Sequence, residues 1–529
     1  MKTLSLCFIN KNNKMQIKYR FIGVLIFLFV TSVSFAQTAR LDSLDAYFQR
    51  SLALWDVPGM AIAIVKDDSL VFAKGYGVKN IEKKRQKVDA NTLFPIASNT
   101  KAFTAAALAR LVDQGKLTWD TKVVDILPYF NLYDPYVTAH FTIVDLLSHR
   151  SGLETFSGDL IWYGTTYSRE EVVRKLGYLK QKYEFRTHFG YSNIMYIAAG
   201  EIIKKLTGKP WEQYIQEEFL NPLGMKQTLT SIKQLTKKSN VTKPHNKVND
   251  EVFPIEFMNW DNISGAGALI SNVTDMSYWL RMQLHEGAYK GHTYFSPEQN
   301  LMMKSPHINH VVSKGYRHYW PSTHFRAYGM GWGLNDYHGR EIISHSGGYD
   351  GIISFSCLVP EENLGFVILT NSNSSLYNSL KNRILDAFLA KDTIDWNQLL
   401  LPYQQKNDRR VPIAIRPDAT KPSLDLVKYT GIFSDPIYGN VMVSMEDDKL
   451  KLQMLRTALF SSDLSPFDGD TMIVEFKKVP SLPQGKVFFY TKDKDVEYLI
   501  IDVPNPDFDF TEFKFMKMKG TDNPKVKKQ

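Results

Sequence analysis

Cysteine is almost absent from this chain, whose 529 residues contain only Cys7 and Cys357. Cys7 precedes an N-terminal apolar run, so a chain that loses that run keeps one cysteine and can form no intramolecular disulfide. The sequence also lacks H-E-x-x-H, paired-cysteine and EF-hand patterns, so it predicts no metal site and no cofactor. Stability must therefore come from a core, and 44% hydrophobic residues at this length make a large core feasible.

Long apolar runs are missing beyond the N-terminus, which excludes further transmembrane helices. Residues 1–36 contain five basic and no acidic residues, then the apolar run Phe21–Phe35, then Ala36. This pattern predicts a signal peptide over residues 1–36, cleaved after Ala36, and a periplasmic or secreted protein with no stable membrane insertion. An uncleaved N-terminal anchor is the alternative.

A strong excess of one charge is also missing. The full chain carries +9, and loss of the five basic residues of the leader reduces this to +4. So small an excess excludes a nucleic-acid partner on electrostatic grounds. We expect a small-molecule or peptide substrate instead.

The most informative feature that is present is Ser98-Asn99-Thr100-Lys101, directly before the alanine-rich run Ala102–Leu111. On a helix, Ser98 and Lys101 lie about one turn apart on the same face. A serine hydroxyl needs a neighbouring base to become a nucleophile, and a lysine serves if burial lowers its pKa. The spacing therefore predicts Ser98 as a catalytic nucleophile and Lys101 as its base.

Two further segments complete the pattern, Gly190-Tyr191-Ser192-Asn193 and His345-Ser346-Gly347-Gly348. Tyr191 can relay or accept the serine proton if neighbouring cations depress its pKa. Asn193 can hold Lys101 through its amide oxygen and a substrate carbonyl through its NH2 group.

The third segment lies between apolar, strand-like runs. Gly347 and Gly348 would let substrate approach the strand backbone closely, and His345 would orient it. The N–H groups of Ser98 and Gly348 would form an oxyanion hole. His149, in a separate turn, is expected to brace a loop rather than to do chemistry.

These three motifs, in this order, resemble the serine β-lactamase-related superfamily, and most of all the class C β-lactamase, D-Ala-D-Ala carboxypeptidase and family VIII esterase group, the S12 peptidases. The resemblance spans about residues 40–390. It implies an α+β fold, with an antiparallel sheet, flanking helices and a helical subdomain. It also implies Ser98 as the acylated residue, with Lys101 and Tyr191 as the proton-transfer pair.

One position departs from the strict β-lactamases, which usually carry a lysine where this chain has His345. Histidine is largely neutral at pH 7, so a fixed positive charge for a substrate carboxylate is lost. The departure favours esterase or peptidase members of the superfamily.

Beyond residue 400 the pattern changes to short alternating strands separated by turn residues. We divide the chain into a hydrolase domain (37–395), a linker (396–424) and a C-terminal all-β domain (425–529) that is similar to the lipocalin-like barrels of this superfamily. The barrel could cover the active site, bind a ligand itself or mediate self-association, and we favour the first.

The sequence thus predicts an exported serine hydrolase that cleaves an amide, peptide or ester bond through an acyl-enzyme on Ser98. The alternatives are a β-lactamase and a penicillin-binding-like sensor that is acylated without turnover.

Overall fold

The computed structural model describes residues 39–390, 394–407, 412–414, 418–505 and 507–519. The predicted signal peptide therefore lies outside the described residues. Within the described ranges, no helix combines the length and the apolar character needed to cross a membrane.

The first domain is built on an antiparallel sheet of eight strands. In chain order they are β1 (Gly59–Lys66), β2 (Ser69–Gly77), β3 (Ile308–His310), β4 (Arg326–Tyr328), β5 (Gly333–Tyr337), β6 (Arg340–Tyr349), β7 (Ile352–Val359) and β8 (Leu364–Thr370). Their order across the sheet is β2-β1-β8-β7-β6-β5-β4-β3. The two ends of the hydrolase chain thus meet where β1 pairs with β8, with Ile62 opposite Ile368.

Helices cover both faces of the sheet. The six longest are α1 (39–54), α2 (Thr100–Asp113), α3 (Asn193–Thr207), α4 (Val273–Leu284), α5 (Leu376–Leu389) and α6 (Trp396–Asn407). Side chains alternate along β1, since Met60, Ile62 and Ile64 pack in one core with α1 and α5. Ala61 and Ala63 pack in the other core, with α2 and α4. This period of two explains why every residue of β1 except Lys66 is buried.

Shorter helices form the subdomain inserted between β2 and β3. They are Val123–Ile126, Pro135–His140, Ile143–Leu147, Arg169–Arg174, Trp211–Ile215, Asn221–Leu223, Ser264–Gly267 and Pro297–Met303, with Lys314–Tyr319 between β3 and β4. Three two-stranded pairs complete this part: Phe94–Pro95 with Ile270–Ser271, His245–Val248 with Glu251–Pro254, and Ala288–Tyr289 with His292–Thr293.

The C-terminal part is a closed barrel. Its eight strands are β9 (Gly431–Asp435), β10 (Gly439–Glu446), β11 (Lys449–Met454), β12 (Ser461–Asp468), β13 (Thr471–Val474), β14 (Gly485–Lys492), β15 (Asp495–Asp502) and β16 (Phe515–Lys517). Each strand pairs with the next, and Phe433 opposite Lys517 closes the ring. The predicted fold class, an α+β domain followed by a small barrel, is confirmed.

The expected linker begins with structure. Residues 396–407 form α6, and Trp396 and Asn397 are 1% and 2% exposed. Asn397 Oδ1 accepts hydrogen bonds from Trp55 Nε1 at 2.9 Å and Ser379 Oγ at 2.8 Å, and its Nδ2 donates to Ser51 Oγ at 2.7 Å. The start of this polar, proline-containing stretch is therefore tied to α1 and α5 of the hydrolase domain.

The Asn397→Ala substitution should destabilise the hydrolase domain by about 2–3 kcal/mol, because it leaves buried donors of α1 and α5 without an acceptor. Thermal unfolding followed by circular dichroism measures the effect. Gln398→Ala, at an exposed neighbouring position of α6, is the matched control. Equal melting temperatures for the two variants would contradict the account of α6.

Candidate active site

Ser98 lies in a single turn of 3-10 helix, Ala97–Asn99, immediately before α2. Ala97 has a left-handed φ of +46°, an unfavourable conformation for an alanine, and it is fully buried. Asn99 holds the turn in place, since its Nδ2 donates to Ser354 Oγ at 2.8 Å and its Oδ1 accepts from Ser356 Oγ. We name Ala97–Asn99 the nucleophile turn after the role predicted for Ser98. It is bonded to β7 through residues more than 250 positions away in sequence.

Lys101, the second residue of α2, is completely buried. Its Nζ lies 3.0 Å from Ser98 Oγ, 2.7 Å from Asn193 Oδ1 and 3.1 Å from the carbonyl oxygen of Ala266. Burial disfavours the ammonium form and lowers the pKa of Lys101 to about 7, against the opposing charge of Asp159. A neutral amine can donate to Asn193 and Ala266 and still accept the proton of Ser98.

Asn193 is the first residue of α3, where it connects Lys101 to a buried carboxylate. Its Nδ2 donates to Asp159 Oδ2 at 2.6 Å. Asp159 is 2% exposed, and desolvation raises its pKa to about 7, although the nearby Trp162, Asn193 and Lys101 lower it. Lys101 and Asp159 are therefore an acid–base pair linked through one amide, each shifted toward its neutral form by burial.

Tyr191 lies beside Lys101, whose Nζ is 4.8 Å from the ring centroid. Burial raises the pKa of Tyr191 although a hydrogen bond with the Ser98 side chain lowers it. The sequence analysis required neighbouring cations to depress the pKa of Tyr191 before it could accept the serine proton. Because burial raises that pKa instead, this condition is not met. The phenol remains protonated at neutral pH and can donate a proton rather than accept the first one.

His149 braces the second motif, residues 190–193, through hydrogen bonds to its backbone. Its Nδ1 accepts the Ser192 backbone N–H at 3.1 Å, its carbonyl accepts the Gly190 N–H at 2.8 Å, and its ring lies 4.3 Å from that of Tyr191. Asp145, with a fully buried side chain, pairs with Arg150 and with an arginine of the neighbouring loop, Arg186. These hydrogen bonds agree with the expectation that His149 braces a loop.

The third segment forms the end of β6, which passes directly beside Ser98. A side chain at Gly347 would lie 2.3 Å from the Ile96 carbonyl oxygen and 2.9 Å from Ser98 N. A side chain at Gly348 would meet nothing closer than Ile353, at 3.9 Å. Gly347 therefore permits contact between β6 and the nucleophile turn, while Gly348 faces open space.

His345 is uncharged in this setting. Burial, and secondarily Lys101, lowers the pKa of His345 to about 3. Its Nδ1 lies 2.6 Å from the Ser346 carbonyl oxygen, which assigns the proton to Nδ1, and its Nε2 then accepts from Tyr328 Oη at 2.8 Å. Both ring nitrogens are thus occupied, and His345 offers a substrate no positive charge.

A cavity of about 700 Å³ opens at Ser98. Of the predicted site residues, Ser98, Tyr191, Asn193, His345 and Gly348 line it, whereas Lys101 and Gly347 pack behind them. The barrel completes the wall with Ser481, Leu482, Asn505, Asp507 and Phe508.

Contacts between the barrel and the helical subdomain hold that wall in place. Glu512 Oε2 accepts the Gly158 N–H at 2.8 Å, and Tyr167 Oη donates to the Tyr438 carbonyl at 2.7 Å. The rings of Tyr163 and Phe508 lie 4.4 Å apart.

Sequence reasoning missed Asn99, Asp159, Tyr328, Asp350 and the barrel residues of the cavity. Asn99 lies inside the first motif, next to Ser98, and this position is the only sequence signal that could have pointed to it. Asp159 and Asp350 carry no motif, since only the fold brings them to the cavity.

The chain belongs to the β-lactamase family, whose model matches residues 44–391. A second model, described as a domain of unknown function, matches residues 416–517. Unguisins hydrolase ungD' of Aspergillus campestris is 31% identical over 449 residues, which cover 77% of this chain and 79% of that protein. The resemblance deduced from the three motifs is therefore confirmed, and the chain is a β-lactamase-family hydrolase.

Two solved structures share the fold. The octameric penicillin-binding protein homologue from Pyrococcus abyssi aligns with a TM-score of 0.60 at 22% identity, over 90% of this chain and 100% of that one. The D-amino acid amidase from Ochrobactrum anthropi aligns with a TM-score of 0.55 at 22% identity, over 65% of this chain and 98% of that one.

The Gly347→Ala substitution should lower kcat/KM by about 100-fold. The added methyl group forces β6 or the nucleophile turn to shift, and small displacements of catalytic groups have effects of this size. Gly348→Ala is the matched control for folding and should melt like the wild type, since its methyl group has room. Ester hydrolysis and thermal melting measure both variants. An active Gly347→Ala enzyme would contradict the described contact.

Proposed function

We propose that this protein is an exported serine hydrolase that cleaves an amide, peptide or ester bond through an acyl-enzyme on Ser98. The observation that carries the proposal is the buried Lys101 amine within 3.0 Å of Ser98 Oγ. A base matched to neutral pH and a nucleophile in contact satisfy the geometric and pKa requirements for acyl transfer.

In the first step, neutral Lys101 takes the Ser98 proton while Oγ attacks the substrate carbonyl. The backbone N–H groups of Ser98 and Gly348 stabilise the resulting oxyanion, where one such donor contributes roughly 2.7–4 kcal/mol. Asn193 orients the carbonyl and holds Lys101. The leaving amine or alkoxide receives a proton from Tyr191, which is replenished from the Lys101 ammonium.

In the second step, water attacks the acyl-enzyme. Neutral Lys101 accepts its proton, which the Tyr191 hydroxyl can relay, and Ser98 leaves as a hydroxyl when the proton passes from the Lys101 ammonium to Oγ. The net reaction adds one water across the bond, and the enzyme ends in its starting protonation state.

The neutral His345 supports a peptidase or esterase over a strict β-lactamase. Nothing at this position can replace the lysine that helps to bind a substrate carboxylate, because both imidazole nitrogens are engaged. β-Lactam hydrolysis and a sensor that is acylated without turnover remain the second candidates, favoured by the intact Ser98, Lys101 and Tyr191.

The leader pattern supports export, with cleavage after Ala36. We propose a hydrolase domain over residues 37–395, extended by the packed helix α6, and a barrel domain over 425–529. We further propose that the barrel restricts access to the active site, since five of its residues line the cavity.

The Ser98→Ala variant should lose at least about 1,000-fold in the hydrolysis of p-nitrophenyl butyrate, as nucleophile removal does in other serine hydrolases. Intact-mass spectrometry during turnover should find a butyryl adduct on the wild type only. Benzylpenicillin in the same assay separates the alternatives: a long-lived adduct indicates a sensor, and accumulating product indicates a lactamase. Unchanged ester hydrolysis by Ser98→Ala would refute the proposed nucleophile.

The pH dependence of kcat/KM should have an acid limb near pH 7, because the active form requires neutral Lys101. Below that pH, the ammonium forms and activity falls. Asp159→Asn removes a charge that raises the pKa of Lys101, so the acid limb should move to lower pH.

Asp125 is exposed on the short helix Val123–Ile126 and provides the control variant Asp125→Asn. The acid limb of its kcat/KM profile should stay at the wild-type pH. A limb that moves to higher pH in Asp159→Asn would contradict the assignment of the base.

A further inference from the structure

The cavity at Ser98 is unusually acidic. Three carboxylates line it, Asp159 near the nucleophile, Asp350 just past the end of β6, and Asp507 on the barrel. Among the described residues that line it there is no lysine or arginine. The one lysine of the catalytic group, Lys101, is fully buried behind Ser98, and His345 is neutral.

One buried carboxylate oxygen in this cavity, Asp350 Oδ2, lacks a hydrogen-bond partner within the described part of the chain. The other oxygen of Asp350 accepts from Tyr163 Oη at 2.8 Å, which fixes the carboxyl group in place. A buried, unpaired carboxylate oxygen is costly, so its position indicates a ligand that donates hydrogen bonds.

Asp350 and Asp507 come from different domains and face the same space. Burial, with a smaller contribution from the like charge of Asp507, raises the pKa of Asp350 to about 6. A cation placed between the two would relieve that repulsion and allow both carboxylates to ionise.

Aromatic rings form the remaining walls near these acids. Between ring centroids, Trp260 lies 4.5 Å from Tyr349 and 5.4 Å from Trp162. The tilted rings of Phe508 and Tyr163 lie 4.4 Å apart. Ring faces beside carboxylates attract organic cations. No group of three or more His, Cys, Asp or Glu side chains in the described ranges is arranged to hold a metal ion, so the chemistry favours an organic cation.

We infer that the active-site cavity selects substrates that carry a primary ammonium group, bound by Asp350 and Asp507 beside the aromatic walls. The inference rests on the proposed hydrolase function and specifies its substrate class, namely amino-acid amides, amino-acid esters or peptides with a free amine. Trp260 Nε1, buried in the same cavity with no acceptor among the residues that the structure describes, fits a carbonyl oxygen of such a substrate.

The test compares kcat/KM for matched substrates that differ in one charge. Alanine and phenylalanine p-nitroanilides, of both configurations, are assayed with a free amine and with an N-acetyl group. Wild-type enzyme should prefer the free amine by roughly tenfold or more, and Asp350→Asn and Asp507→Asn should each remove most of that preference. Asp447→Asn, exposed in the turn between β10 and β11, is the control and should keep it.

A wild-type ratio near one, or a ratio unchanged in both cavity variants, would overturn the inference. If the wild type cleaves none of these substrates but cleaves p-nitrophenyl butyrate, the ammonium preference is wrong and the hydrolase function stands. If it cleaves neither, the hydrolase proposal has failed. Calorimetry with phenylalaninamide and its N-acetyl derivative then tests the cation site separately. Tighter binding of the free amine, lost in Asp350→Asn, supports the site. Equal binding of the two compounds refutes it.

Discussion

The burial of one lysine amine is the constraint on which this active site depends. In water the ammonium of Lys101 would hold its proton far above neutral pH and could not serve as a base. Packed inside the hydrolase domain, its pKa falls to about 7 because desolvation penalises the charge. Three oxygen atoms surround Nζ, those of Ser98, Asn193 and Ala266, so the amine is held toward Ser98 in either protonation state.

Small residues and buried amides make that burial possible. The segment Ser264–Gly267 approaches α2 and α3 closely enough for the Ala266 carbonyl to reach Lys101, and a side chain at Gly265 would collide with the Tyr196 carbonyl, at 2.4 Å. Asn99 ties the nucleophile turn to β7, and Asn193 ties Lys101 to Asp159. The site is therefore a polar network whose members lie on separate elements of a close-packed core.

Local patterns in the sequence predicted the parts of this arrangement that are local in the fold. Ser98 and Lys101 meet because residues three apart share a helix face, and Tyr191 and Asn193 flank the start of α3.

Long-range packing decided the remainder. Asn99 bonds to Ser354, 255 positions away, and no spacing rule could have paired them. The raised pKa of Tyr191 depends on how deeply the fold buries it, and α6 was mistaken for linker because its anchors, Trp396 and Asn397, bind to α1 and α5. Asp507 enters the cavity only because the barrel docks on the helical subdomain.

The two domains together define the chemistry of the cavity. The hydrolase domain supplies Ser98 and Lys101, the proposed nucleophile and base, together with β6. The barrel supplies one wall, held by contacts such as that of Glu512 with the Gly158 N–H. Because His345 is neutral and the walls carry aspartates, this cavity lacks the positive charge that would bind a substrate carboxylate.

The most direct test of the account is the titration of Lys101 itself, followed by NMR of protein carrying isotope-labelled lysine side chains. The Lys101 resonance is assigned by its loss in Lys101→Met. The account predicts that it titrates near pH 7, well below the other lysines. A Lys101 that stays protonated to pH 10, as an exposed lysine does, would contradict the central claim that burial makes it the base.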